Sequence, residues 1–292
     1  MAKHLTTALV QLNVSDRPLE NLATTQAFIQ SAADQGAELV ATPECTNLIA
    51  GNARDLAANL YRESNDPTLL AICSQAKALR LWILIGSLCL KNDTGTDAMA
   101  VNRQFFINPK GEIIGRYDKI HMFDVDVADG QTYRESAQYA AGNHLQTSSI
   151  EDLTLGHSIC YDVRFPYLYS ALAHQGAGII AVPAAFTHVT GQAHWETLLR
   201  ARAIETGSWV IAPAQCGVHA GGRRTWGHSL VVNPWGRIVA QGKEAKPGVI
   251  LADIDPEQIK KARDSIPALK HYRTLEALRP DQMAPHMRIM RE

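Results

Sequence analysis

An internal echo constrains this chain more than any other feature. Gln35-Gly36-Ala37-Glu38-Leu39-Val40-Ala41-Thr42-Pro43 returns as Gln175-Gly176-Ala177-Gly178-Ile179-Ile180-Ala181-Val182-Pro183. Trp82-Ile83-Leu84-Ile85 returns as Trp209-Val210-Ile211-Ala212, and Asn108-Pro109-Lys110-Gly111 as Asn233-Pro234-Trp235-Gly236. The matches come in the same order, which chance does not readily produce. Each quartet is a turn between apolar runs, Val101 to Ile107 and Glu112 to Tyr117 in one case, Leu230 to Val232 and Arg237 to Val239 in the other. Two similar α/β halves follow. Each must cover an apolar sheet, which predicts sheets packed face to face with helices outside, a four-layer α-β-β-α sandwich. No Pro/Gly-rich linker divides the halves, so residues 1–292 read as one domain, with a core of about 4–256 and a tail of 257–292.

Periodicity fills in the elements. Thr6 to Leu12 and Glu38 to Thr42 read as strands, Leu19 to Gln35 as a helix, and Asp66-Pro67 as the start of a helix reaching Leu79. Trp82 to Leu90 is a continuous apolar run, as in a strand buried on both faces. Ile120 to Asn143 is long, polar and without period. Its aromatic residues Phe123, Tyr133 and Tyr139 predict an ordered lid. After Asp255-Pro256 comes a short charged helix, then a tail rich in Arg, His and Met that is either frayed or packed on a partner subunit.

Composition excludes several function classes. A chain of 292 residues, 46% hydrophobic with a net charge of −1, buries a large core and gives no footing for nucleic acid or a membrane surface. No signal peptide or membrane span is expected. Five cysteines without paired spacing predict free thiols in a reducing compartment, by default the cytoplasm. No metal site is expected: His188, His194, His219 and His228 lack ligand spacing and read as satisfied core or surface histidines. His194-Trp195-Glu196 reads as helix surface, and Gly221-Gly222-Arg223-Arg224 as a turn rather than a phosphate loop.

Four residues could carry chemistry. Leu153-Thr154-Leu155 leads into Gly156-His157-Ser158-Ile159-Cys160-Tyr161-Asp162-Val163-Arg164-Phe165-Pro166, and Tyr167 to Gln175 is amphipathic. Cys160 therefore sits at a strand–turn–helix bend, where a thiol can attack a carbonyl and converging N–H groups can bind the oxyanion. A lone cysteine is more often a small buried apolar residue. Glu44 follows Pro43 at a strand end, and its echo positions are Ala184 and Ala185. In a pocket its raised pKa would suit a general base, whereas on a loop it is a solvated charge. Lys119 ends the strand Gly115-Arg116-Tyr117-Asp118, where it can stabilise an oxyanion or simply guard a strand end. Glu135 in the lid is either its partner or ordinary loop charge.

Taken together, Thr42-Pro43-Glu44, Arg116-Tyr117-Asp118-Lys119 and Ile159 to Pro166 resemble, in order and spacing, the Glu–Lys–Cys signature of the nitrilase superfamily, the carbon–nitrogen hydrolases. The resemblance covers about Thr6 to Asp255. Thr190 to Glu196, Leu199 to Thr206 and Ala214-Gln215-Cys216-Gly217 look most like its Nit branch, amidases acting on deaminated glutathione or on ω-amides of 2-oxo acids. That resemblance implies the α-β-β-α sandwich. It also implies Glu44 as base, Lys119 as oxyanion stabiliser, Cys160 as nucleophile, and Glu135 as a second acid holding Lys119. The Tyr161 N–H would complete the oxyanion hole, and Arg164 and Thr190 are candidates for a substrate carboxylate, although Arg164 could instead pair with Asp162 or Glu196. The activity so implied is cysteine-dependent hydrolysis of a small, carboxylate-bearing amide through a thioester. It needs no cofactor, and the helices Tyr167–Gln175 and His194–Thr206 would pair two copies as a homodimer. Nitrile and N-carbamoyl amino acid hydrolases use the same triad. A non-catalytic metabolite-binding relative would be expected to have lost a triad member. Two departures stand out: Ala141 precedes Gly142 where relatives commonly carry proline, and His157 replaces an apolar residue beneath the nucleophile turn.

Overall fold

The first apolar run forms β1 (Leu5–Gln11), and α1 (Pro18–Asp34) follows with Pro18 in its first turn, where a missing N–H costs nothing. The computed structural model describes residues 3–93, 95–127 and 132–273. β2 (Leu39–Ala41) ends before Pro43. After α2 (Ala53–Asn59), α3 (Pro67–Leu79) starts at Asp66, whose Oδ1 accepts the Leu69 N–H at 2.8 Å. β3 (Trp82–Lys91), β4 (Ala100–Ile107) and β5 (Ile113–Asp118) complete the first half. The lid carries a hairpin of β6 (Asp124–Asp126) and β7 (Thr132–Arg134), then β8 (Tyr139–Ala140), which pairs with β4. Residues 128–131 of the lid lie outside the described residues.

The second half runs β9 (Thr147–Ile150), β10 (Leu153–Gly156), α4 (Pro166–His174), β11 (Ile179–Ala181), α5 (His188–Thr206) and β12 (Trp209–Ala212). A hairpin of β13 (Cys216–Val218) and β14 (Arg224–Trp226) precedes β15 (Leu230–Val232) and β16 (Ile238–Gln241). The chain then forms β17 (Gly248–Ile254) and α6 (Pro256–Ser265). The tail beyond 273 lies outside the described residues.

The echo is a repeat of pairing as well as of sequence. The main strand order is β17-β1-β2-β3-β4-β5 in one sheet and β9-β10-β11-β12-β15-β16 in the other. Along each order the five pairings run antiparallel, parallel, parallel, antiparallel, antiparallel. Equivalent residues pair with equivalent residues: Leu39 with Trp82, and Ile179 with Trp209. β17 follows the second half in sequence but joins the first sheet, with Leu5 opposite Ile254.

Side chains alternate between layers with the period of two that a strand imposes. Leu39, Ala41, Leu84 and Phe106 meet Ile179, Ala181, Trp209 and Ile211 between the sheets. Val40, Ile83, Ile85 and Phe105 face outward onto Ile29 of α1 and Ile72 of α3. Ile180, Val182 and Val210 face Leu168 and Leu172 of α4 and Leu199 of α5. The result is the four-layer α-β-β-α sandwich expected from the sequence.

Two local expectations are corrected. α5 begins at His188 rather than His194: Gly191 is a poor helix former, but a Cβ there would lie 2.3 Å from that of Trp226, so the bare backbone is what lets β14 pack. Trp195 is core rather than helix surface, 1% exposed, with its indole N–H on the His228 carbonyl at 2.9 Å. Among the described residues no helix is long and apolar enough to cross a membrane.

Gly86 marks where the halves meet at their strand ends. A Cβ there would lie 2.0 Å from the Thr42 carbonyl oxygen, 2.5 Å from that of Pro43 and 2.5 Å from the Pro183 side chain. Backbone has little room to yield, so Gly86→Ala is expected to lower unfolding stability by about 3 kcal/mol or more, read from the shift of the denaturant midpoint. A change below about 0.5 kcal/mol would show that the strand ends tolerate a side chain there.

Candidate active site

Three strand ends converge. Glu44 follows β2, Lys119 follows β5, and Cys160 opens a single 3-10 turn, Cys160–Arg164, after β10. Cys160 has φ of 49°, a left-handed conformation costly for a residue with a Cβ. Its N–H donates to the Pro183 carbonyl at 2.9 Å. Asp162 holds the turn from below. Its Oδ2 accepts the Ile159 N–H at 2.9 Å and the Tyr117 hydroxyl at 2.7 Å, and its Oδ1 accepts the His121 N–H at 3.0 Å. The His121 ring nitrogen Nδ1 lies 2.6 Å from the same oxygen. A fully buried carboxylate with this many partners fixes the backbone that aims the thiol. The Tyr161 N–H is by position one that a short helical turn leaves without an internal partner.

The charges are buried and paired. Glu44, Lys119 and Cys160 are 3%, 2% and 7% exposed. Lys119 Nζ donates to Glu44 Oε1 at 2.9 Å and to Glu135 Oε1 and Oε2 at 3.0 and 2.9 Å. Asn102 Nδ2 donates to Glu44 Oε1 at 2.9 Å, and the Ala185 N–H donates to Glu44 Oε2 at 2.8 Å. Glu135 Oε2 also accepts the Phe123 N–H at 2.7 Å, which ties the lid to the cluster. Cys160 lines the same cavity as Glu44 and Ala185.

These contacts set the protonation states. Burial opposes the Glu44 carboxylate, but Lys119, the Cys160 thiol and Arg223 outweigh it and hold the pKa below the ordinary value. Burial likewise opposes the Lys119 ammonium, yet Glu135 and Glu44 hold its pKa well above the usual range. For Cys160, burial and the Glu44 charge push the thiol well up, against the opposing pull of Lys119. At rest the site is thus a carboxylate, an ammonium and a protonated thiol. That set can pass a proton from sulfur to carboxylate as sulfur attacks, and can meet an oxyanion with a cation.

The carbon–nitrogen hydrolase profile matches residues 6–264. The chain belongs to that family. A deaminated glutathione amidase from Yersinia enterocolitica is 40% identical over 279 residues, covering 95% of this chain and 96% of that one. The NitFhit protein of C. elegans superposes with a TM-score of 0.85 at 33% identity, covering 94% of this chain and 66% of that chain. Nit3 of Saccharomyces cerevisiae, a member of branch 10 of the nitrilase superfamily, gives 0.81 at 28% identity, covering 91% and 96%. The protein is accordingly a carbon–nitrogen hydrolase acting on amides.

In this hydrolase the cluster opens into a cavity of about 600 Å³, lined in part by Glu44, Lys119, Glu135, Cys160, Tyr161 and Thr190. Phe123 packs on Tyr133 and on Tyr161, each at 5.1 Å between ring centroids, and so closes the lid over it. The Thr190 hydroxyl lies 2.6 Å from that of Thr187. Arg164 stands outside the cavity lining. Its guanidinium packs 5.8 Å from the Tyr161 ring centroid and 5.3 Å from that of Phe186, with Nη1 3.3 Å from His194 Nδ1. It pairs with neither Asp162 nor Glu196; the former holds His121 and the latter Arg200.

Sequence reasoning missed Asn102, Asp162 and Arg223. Asn102 had a signal, since an asparagine inside a buried apolar strand needs a reason. Arg223, read as part of a turn, lines the cavity instead, with Nη2 on the Ala185 carbonyl at 2.7 Å.

His157 lies between the sheets, its Nε2 2.9 Å from Ser148 Oγ and its Nδ1 bonded to the Gln104 side chain. Gln104 in turn donates to the Gly86 and Ser158 carbonyls at 3.3 and 3.2 Å. The polar residue beneath the nucleophile turn is therefore a link between the two halves. Burial lowers its pKa to about 3, so it stays neutral when folded and gains a proton near pH 6.5 when unfolded. Its contribution is complete above about pH 6.5 and is lost as the pH falls toward about 3. His157→Gln is expected to flatten the pH dependence of unfolding free energy between pH 4 and 6 by up to about 1.4 kcal/mol per pH unit. Parallel curves for the two proteins would mean that His157 does not titrate on unfolding.

Proposed function

We propose that this carbon–nitrogen hydrolase is a cysteine-dependent amidase for a small carboxylate-bearing substrate, deaminated glutathione or a related ω-amide of a 2-oxo acid. The observation that carries the reading is the burial of Glu44, Lys119, Glu135 and the Cys160 thiol around one cavity. The substrate class is supported by the deaminated glutathione amidases of Yersinia enterocolitica and of Synechocystis, 40% and 42% identical to this chain.

Glu44 takes the Cys160 proton as sulfur attacks the amide carbonyl carbon. The carbonyl oxygen gains negative charge beside Lys119 and the Tyr161 N–H. Glu44 returns the proton to the nitrogen as the C–N bond breaks, so the amine leaves neutral and an acyl thioester remains on Cys160. Water, deprotonated by Glu44, attacks the thioester and releases the acid and the free thiol. The high thiol pKa fits this order, because sulfur gives up its proton only as it bonds to carbon. Glu135 keeps Lys119 charged and aimed. Thr190 contacts the substrate carboxylate, a role also proposed for Arg164, which stands behind the Tyr161 and Phe186 rings. The chemistry is written without a cofactor.

The proposal extends to a single catalytic domain, a cytoplasmic location suggested by five free thiols, and a homodimer formed on α4 and α5, where Tyr167 and Ile204 are exposed. Amine release is to be measured with deaminated glutathione, the ω-amide of 2-oxoglutarate, a nitrile and an N-carbamoyl amino acid. Turnover of one of the two amides is expected, with Cys160→Ala lowering it by more than about 10⁴-fold. Lys119→Ala is expected to cost about 10²–10³-fold, the usual loss for one oxyanion donor. A preference for the nitrile or the carbamoyl compound, or turnover that survives Cys160→Ala, would overturn the reading.

A further inference from the structure

Arg223 is a cation that the reaction above does not use. It follows the Ala220–Gly222 turn, lines the cavity, and lies with its guanidinium carbon 5.7 Å from the centroid of the lid residue Tyr133. The Ala185 carbonyl takes one of its donors. Its Nε is buried and has no hydrogen-bond partner among the described residues. Such a donor is costly to leave unmet, and a planar guanidinium lining the cavity can offer its remaining N–H groups to a carboxylate.

Nearby groups do not satisfy it. Both Glu44 oxygens are occupied, Oε1 by Lys119 and Asn102 and Oε2 by the Ala185 N–H. The other cavity arginine, Arg134, is paired with Asp126.

Position says which part of a substrate Arg223 would meet. Ala185 gives its N–H to Glu44 and its carbonyl to Arg223, so a single residue joins the two. Glu44 hands its proton to the departing nitrogen, which places the amine side of the substrate toward Glu44 and hence toward Arg223. We propose that Arg223 is the residue that anchors a carboxylate carried on the amine side of the scissile amide, the part that leaves. This rests on the amidase reading above. An amide that releases ammonia has nothing to reach this arginine.

The test uses three amides with one acyl group, whose leaving groups are an amine ending in a carboxylate, the same amine ending in a carboxamide, and ammonia. The wild-type enzyme is expected to favour the carboxylate over the carboxamide by about 10–100-fold in kcat/KM, mainly through KM. In R223Q that ratio is expected to collapse toward one, with R223K between, since lysine keeps the charge but loses the fork. Absence of a wild-type preference, or the same ratio in both variants, would overturn the proposal. So would an R223Q enzyme slowed equally on all three amides, which would assign Arg223 to supporting Ala185 and Glu44. If R223Q fails to fold, the wild-type ratio and R223K decide. Should the wild-type enzyme cleave none of the three while Cys160 still alkylates, the amidase reading itself fails.

Discussion

A buried ammonium between two carboxylates is the interaction on which the rest of this structure depends. Taking Lys119 out of water costs several kcal/mol, and the site exists because Glu44 and Glu135 both meet it at about 3 Å. The three residues come from different places: the end of β5, the end of β2, and the lid. Packing the lid and charging the site are therefore one event. Glu135 also takes the Phe123 N–H, and Phe123 packs on Tyr161 beside the thiol, so the same carboxylate orders the lid's aromatic face.

The second oxygen of Glu44 carries the argument across the sandwich. It accepts the N–H of Ala185, one of the two echo positions of Glu44 itself. A scaffold with repeated strand ends offers two similar bends after Pro43 and Pro183. A glutamate at both would face two carboxylates toward one buried space, and one would have to be protonated. Alanine at the second bend leaves its backbone amide to hold the single carboxylate. Symmetry thus supplies the bends, and the loss of symmetry supplies the charge pattern. Gly86, pressed against both prolines, keeps the two bends close enough for that contact.

What the sequence made legible was local or repeated. Asp66-Pro67 announces a helix start because both the cap and the fixed φ act within one turn. The sheets were legible because the echo repeats residue by residue, down to Leu39 opposite Trp82 and Ile179 opposite Trp209. The placement of β17 was not, since its partner β1 lies at the far end of the chain and no local pattern encodes it. The early start of α5 was hidden because Gly191 lowers helix propensity while a distant Trp226 rewards it. Among site residues, Glu44, Lys119 and Cys160 sit at strand ends and in a family signature. Asp162 and Arg223 act through contacts that only the folded chain creates: Asp162 with Tyr117 and His121, Arg223 with Ala185.

Electrostatics also explain how such a site can hold a reactive group quietly. Burial opposes any charge on the Cys160 sulfur, and the Glu44 carboxylate beside it opposes a negative one further. Ionising Cys160 at rest would place a negative charge in a buried space next to that carboxylate, which is why its pKa stands well above the ordinary value despite Lys119. In the proposed reaction the balance changes when a carbonyl arrives. The sulfur proton passes to Glu44, and the new negative charge appears on the substrate oxygen beside Lys119 rather than on sulfur. The cation and backbone donors are already in place, so little reorganisation is needed at that moment. Substrate binding, not a standing thiolate, is then what makes Cys160 a nucleophile. In the proposed mechanism, the cluster that ties down the lid also holds the thiol protonated until an amide fills the cavity.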